Sequence, residues 1–313
     1  MRKLSAALGV CCVFGLALPV WAEANSSDTV VSVMAGEPEW LAQAARLASQ
    51  LDHENHLRVL PVLGAGGVQA LTDLVQMQNI DAAIVASDSL AYARTQNLIT
   101  DSKSISYIAK LAPLDVVLIA RQEIKNVTAL AGKRIATGPA QSAGFATGEI
   151  LFGSLEIPFM RVPQQGNLAI AALLSGQADA ALVLGTSFQK SALSDGRFHV
   201  LNLSMPPSLK DIYQPAILDA ETLPGLIQKG KTVESLSASL TLAVQNWPRS
   251  SSHSATLKIF ETELYKSQNA GISENLAATV LGWNRHTTVE DLLRQSKTSA
   301  DTTSLITPTG GEP

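Results

Sequence analysis

The chain has 313 residues, of which 46% are hydrophobic and 16% charged, with a formal net charge of −4. That length suffices for two ordinary domains with packed cores, and the scattered, mildly acidic charge excludes a nucleic-acid surface. After the first segment no apolar run approaches the ~20 residues of a membrane span, which excludes direct membrane insertion and leaves any membrane role to a partner protein.

The first segment carries Arg2 and Lys3, an uncharged apolar stretch from Leu4 to Val20, and then Val20-Trp21-Ala22 with small residues at the two recognition positions. This is the pattern of a secretory signal, and cleavage is expected after Ala22, giving an exported, periplasmic protein. The only cysteines, Cys11 and Cys12, fall inside the removed segment. The mature chain therefore has no thiol and depends on its core.

Short β-branched or apolar runs alternate with Ala- and Leu-rich helical patterns along the chain. Strands are predicted over Thr29–Met34, Leu57–Leu63, Ala82–Ala86, Val116–Ala120, Arg134–Thr137, Ala180–Leu184 and His199–Leu203. The rhythm predicts an α/β protein with two doubly wound, Rossmann-like lobes, whose ligands sit beyond the carboxyl ends of the strands. An internal echo supports two lobes: LVQMQNIDAAIVASDS (Leu74 to Ser89) matches ALLSGQADAALVLGTS (Ala172 to Ser187), with Asp81 and Asp179 in register. Two such copies would aim Ser87-Asp88-Ser89 and Gly185-Thr186-Ser187 into one cleft. From Asp291 to the end, 291–313, the composition turns to Ser, Thr, Gly and Pro, and a flexible tail is expected.

Two loops carry candidate chemistry. Gly64-Ala65-Gly66-Gly67 leads into a helix from Val68, and Gly138-Pro139-Ala140-Gln141-Ser142-Ala143-Gly144 leads into a helix from Phe145. Free amides at such helix starts favour an anion or a carboxylate, while a tight turn and a Ser142 cap are the plainer readings. The spacing fails as a dinucleotide motif at Gln69. A serine hydrolase is a weak alternative: four residues intervene between Thr137 and Ser142, where a nucleophile elbow has its serine directly after the strand, with Asp211 or Asp219 and His253 or His286 following in Ser, Asp, His order. His53-Glu54-Asn55-His56 lacks a third ligand for a metal, and the reading calls for neither metal nor cofactor.

Taken in order, Gly64 to Asp88, Ile105 to Gly144, Leu174 to Ser187 and Asn275 to Trp283 resemble the TAXI family of extracytoplasmic solute receptors, which serve TRAP transporters. The resemblance runs from Val30 to His286. It implies a type 2 periplasmic binding-protein fold with a hinge crossed twice: lobe 1 over 23–114 and 214–290, lobe 2 over 115–213, with crossings near Pro113–Val116 and Ile212–Pro215. It implies a non-enzymatic receptor that closes on a small organic ligand, amino-acid-like or dicarboxylate-like, and delivers it to a TRAP permease. The implied pocket residues are Gly36, Trp40, Gly66, Gly67, Ser87, Asp88, Ser142, Ala143, Gly144, Gly185, Thr186 and Ser187. Trp40 stands where the family has a tyrosine, Gly67 and Ala70 stand where it has Ser and Asn, and Gln141 stands where it has glycine. Glu37 and Glu39 add acid beside the first loop. These departures keep open an accessory protein that uses the same fold to bind another protein.

Overall fold

The computed structural model of the protein describes residues 28–52, 56–267 and 276–304. The leader with its cleavage point, His53 to Asn55, Asn275 and the tail beyond Ser304 lie outside the described residues. Among the described residues no helix is long and apolar enough to cross a membrane.

The first lobe begins with β1 (Thr29–Ala35), α1 (Leu41–Leu51), β2 (Leu57–Leu63), α2 (Gly67–Gln76), β3 (Ala82–Ala86) and α3 (Ser87–Thr95). Its strands are parallel, in the order β2-β1-β3. The inner strand reads Ala-Ala-Ile-Val-Ala and is buried throughout, as a parallel strand covered on both faces must be. The long β4 (Ile105–Arg121) follows. The second lobe repeats the plan with β5 (Arg134–Ala136), α4 (Ala143–Ser154), β6 (Met160–Val162), α5 (Gly166–Ser175) and β7 (Ala180–Leu184), in the order β6-β5-β7. Then come β8 (Phe198–Val200), β9 (Gln214–Asp219), β10 (Thr232–Gln245), α6 (Ser252–Lys266) and α7 (Thr287–Ser304).

The two parallel units are joined by β10 and β4, which pair antiparallel in the order β2-β1-β3-β10-β4-β7-β5-β6. Up to Asp115 the strand β4 pairs with β10, and from Val116 it pairs with β7, so it carries the chain between lobes without a loop. After the expected crossing near Ile212–Pro215, Leu218, Leu223, Leu226 and Ile227 still bury in one cluster with Val183, Phe198 and Val200.

The echo in the sequence has a structural counterpart. In the first lobe Asp81 Oδ2 accepts the Ser32 amide at 2.8 Å, and in the second Asp179 Oδ2 accepts the Arg134 amide at 3.0 Å. Each aspartate precedes the inner strand by one residue and holds the neighbouring parallel strand one residue before the two begin to pair. Val33 opposite Ala82 and Ile135 opposite Ala180 give the same register in both lobes. One difference separates them: Asp81 serves the Ser32 hydroxyl as well, whereas Asp179 pairs with the half-exposed Arg134 guanidinium at 2.7 Å.

The end of the chain departs from the sequence expectation of a flexible tail from Asp291. A helix, α7, runs to Ser304 instead. Its polar composition hides one apolar pair, Val289 and Leu293, a turn apart, packed in the cluster that holds Leu257, Phe260 and Leu264 of α6. His286 Nδ1, one residue before that helix, lies 2.6 Å from the buried Glu261 carboxylate.

Asp81→Ala strands a buried amide and is expected to lower the urea-derived stability by about 1–3 kcal/mol. Asp179→Ala, at a site that water reaches, is expected to cost less. Losses near zero at both positions would show that register is set by the apolar faces alone.

Candidate functional site

The loops at the carboxyl ends of β1, β5, β6 and β7 converge on one cleft, where doubly wound folds place their ligands. The cleft holds a cavity of about 230 Å³. The first lobe contributes Glu37, Glu39, Trp40 and Gln43, and the second contributes Ala143, Gly144, Gln165 to Asn167 and Leu182 to Phe188. The crossing strands close its floor with Ala112, Pro113, Leu114 and Leu240. Among the described residues, two carboxylates and no Lys, Arg or His line it.

Glu37 decides what the rest of the cleft can do. Its side chain is buried, and Oε1 accepts the amide of Gly67, first residue of α2, at 2.8 Å and that of Ala143, first residue of α4, at 2.6 Å. Oε2 accepts from Gln165 Nε2 at 2.7 Å. One carboxylate thus caps a helix in each lobe, with both positive helix ends directed at it. Burial pushes its carboxyl above the ordinary value of 4.5, and the Ala143 and Gly67 amides and Gln165 pull the other way.

The next amides of α2 are also taken from across the cleft. The Gln141 carbonyl accepts from Val68 at 2.9 Å and from Gln69 at 3.4 Å. To present that oxygen, Gln141 adopts φ 66°, a left-handed conformation that costs a non-glycine residue about 1–3 kcal/mol. The approach leaves no room on the facing side: a Cβ on Gly66 would stand 2.5 Å from the Gln141 oxygen, while within the first lobe one on Gly36 would stand 2.9 Å from Gly67 Cα.

A second polar tie lies behind this one. Asp88 is fully buried, and its Oδ2 accepts the Thr147 hydroxyl of α4 at 2.6 Å and the Tyr213 hydroxyl at 2.7 Å. Oδ1 has no hydrogen-bond partner. Burial raises the Asp88 carboxyl, outweighing those two donors, and burial together with Asp88 raises the Tyr213 phenol well above 10.

Of the residues named from sequence, Trp40, Ala143, Gly144, Gly185, Thr186 and Ser187 line the cavity. Gly36, Gly66, Gly67, Ser87, Asp88 and Ser142 stand behind it, committed to bonds within the protein. The Ser142 hydroxyl accepts the Phe145 amide as a helix cap at 3.1 Å. The Ser87 hydroxyl accepts the Ser239 amide at 2.9 Å, and Trp283 Nε1 donates to the Ser87 carbonyl at 2.8 Å. The two echoed strand ends therefore do not both face the cavity: Gly185 to Ser187 do, and Ser87 to Ser89 are covered. The residues of the hydrolase alternative are dispersed, since His253 stacks on Trp247 near Asp81 and His286 meets Glu261.

Sequence reasoning named Glu37 only as nearby acid and missed Gln165 and Asn167. The signal was faint: an acid just after a strand whose loop glycine must pack against a helix start.

No family model matches the sequence, and no curated protein matches it. Among solved structures the chain is similar to PhnD1 from Prochlorococcus marinus (MIT 9301) in complex with methylphosphonate, at a TM-score of 0.50 and 12% identity, over 87% of this chain and 99% of that one. It is also similar to MatC (Rpa3494) from Rhodopseudomonas palustris with bound malate, at 0.48 and 18%, over 87% and 97%. These likenesses are of fold. The chain has the two Rossmann-like lobes of type 2 periplasmic binding proteins.

The Asp88 carboxyl, raised in the fold, binds its proton more tightly folded than unfolded. Its contribution is fully present below the ordinary value of 3.8 and is lost as pH rises through the folded value. Asp88→Asn, which keeps the acceptor oxygen, is therefore expected to match the wild type in acid and to gain on it toward neutral pH. Asp88→Ala is expected to lose about 1–3 kcal/mol by leaving the buried Tyr213 hydroxyl unpaired, while the Thr147 hydroxyl keeps the Ala143 carbonyl at 3.1 Å. Urea titrations over a pH series check both, and an Asn variant that loses ground as pH rises contradicts the assignment.

Proposed function

We propose that the protein is an exported small-molecule receptor of the TAXI type, which binds rather than transforms its ligand and hands it to a TRAP permease. The observation that carries this reading is the cavity between the lobes, with the Trp40 ring, Leu114 and Phe188 as apolar wall and Gln165, Asn167, Thr186 and Ser187 as convergent polar groups. A ligand there touches both lobes and favours their closed arrangement by its differential affinity for it. The leader ending at Ala22 supports export.

The ligand we propose is a small acid that also carries an ammonium group or several hydroxyls. Glu37 and Glu39 face the cavity with no basic side chain beside them, which disfavours a second negative charge on the ligand. The Glu39 carboxylate stands against Gly166 at the start of α5, so an ammonium or hydroxyl of the ligand finds an acidic partner there. We assign ligand contacts to Trp40, Ala143, Gly144, Gly185, Thr186 and Ser187.

A second reading, an accessory protein that uses this fold toward a protein partner, is favoured by one observation. The helix-start amides of Gly67, Val68 and Ala143 are already satisfied by the chain itself.

Thermal shift and calorimetry on the mature protein separate the readings. The receptor predicts that amino-acid-like or hydroxylated monoacids raise the melting temperature and dicarboxylates do not. Trp40→Ala is then expected to weaken binding at least tenfold, about 1.4 kcal/mol. Tighter binding of a dicarboxylate contradicts the assigned ligand class, and a panel with no shift at all favours the second reading.

A further inference from the structure

We propose that Glu37 is a tethered occupant of the interlobe anion site, an internal carboxylate latch that holds the two lobes together with no ligand bound. The inference goes beyond the receptor reading and stands whichever ligand, or none, enters the cavity.

The argument is one of position and satisfaction. The amides of Gly67 and Ala143 begin helices in different lobes, and both point at a single oxygen, Glu37 Oε1, at 2.8 and 2.6 Å. Two helix starts converging on one point form a site for a carboxylate supplied from outside. Here the chain supplies it, from the first loop after β1. Glu37 is only 5% exposed, and Gln165 Nε2 holds its other oxygen, so the carboxylate is received on both sides rather than left at the cleft mouth.

Neighbouring residues are shaped to this contact. Gly36 and Gly66 permit the close approach, and the Ala143 methyl packs against Gly67, where an added Cβ would lie 3.1 Å from it. The Gln141 carbonyl, in its left-handed conformation, caps the following amides of α2 from the opposite lobe. The latch therefore uses the donors that a ligand's acid group would need, and a soluble carboxylate enters that position only where Glu37 is missing or displaced.

The test is chemical rescue. Glu37→Ala leaves a gap of carboxylate size between the two helix starts, and its melting temperature is expected to fall by about 5–10 °C. Sodium acetate is expected to restore most of that loss with a saturable dose response, whereas sodium chloride at equal ionic strength and acetate on wild type do little. A second variant guards against misfolding. Ala143→Pro removes the α4 amide donor and puts the ring Cδ where its proton met Glu37, at a first-turn position where proline is well accepted by the helix itself. It is expected to lose stability with no acetate response. Glu37→Ala that melts like wild type, or acetate that shifts wild type and variant alike, overturns the latch. If Glu37→Ala is soluble only in the presence of acetate, that too supports it, and if acetate leaves it insoluble while Ala143→Pro melts like wild type, the latch is overturned.

Discussion

The Glu37 carboxylate received by two helix starts is the contact on which the cleft depends. Taking a carboxylate out of water costs several kcal/mol, so such a group persists only where donors surround it. Here they are two main-chain amides, each at the positive end of a helix, and the Gln165 side chain. The amides belong to different lobes, so satisfying the charge and closing the cleft are one event. Gly66 and the left-handed Gln141 then follow as requirements, because the lobes cannot approach this closely with a side chain between them, and Gly36 lets the Glu37 loop lie against Gly67 within the first lobe.

The scaffold makes that convergence possible through repetition. Both lobes use the same parallel order and the same aspartate-to-amide bond, Asp81 to Ser32 and Asp179 to Arg134, ahead of the inner strand. Two copies related in this way bring the loops after β1 and β5 face to face. Each loop then serves the other lobe: Glu37 caps α4, and Gln141 caps α2. The remaining cavity is offset toward β7 and the start of α5, which is why Gly185 to Ser187 line it and the corresponding Ser87 to Ser89 do not.

Much of the fold was legible in the residues. The strands β2, β3 and β7 fall where their apolar runs predict them, because each is short and bounded by turn residues, and β3 and β7 are buried as well. The long β10 escaped, since TVESLSASLTLAVQ interleaves Ser and Thr with apolar residues and serves two different neighbours along its length. The first half of β4 escaped for a related reason, with Lys110 and Pro113 interrupting its apolar run where the chain changes lobes. The helix α7 rests on Val289 and Leu293 against a polar background, too little periodicity to read. At the site, glycine loops marked both helix starts correctly. What fills them was hidden, because Glu37 meets Ala143 across a sequence separation of 106 residues, and no local pattern records that meeting.

The most direct measurement is the distance between the lobes in ligand-free protein. Exposed Ala45 on α1 and Ala171 on α5 can be changed to cysteine and spin-labelled in a chain that starts at Glu23, since the only native cysteines are Cys11 and Cys12. The account predicts one narrow, short distance for the otherwise native chain without ligand, and a longer, broader distribution once Glu37→Ala is added. A ligand-free native chain with the broad, long distribution, unchanged by Glu37→Ala, would contradict it.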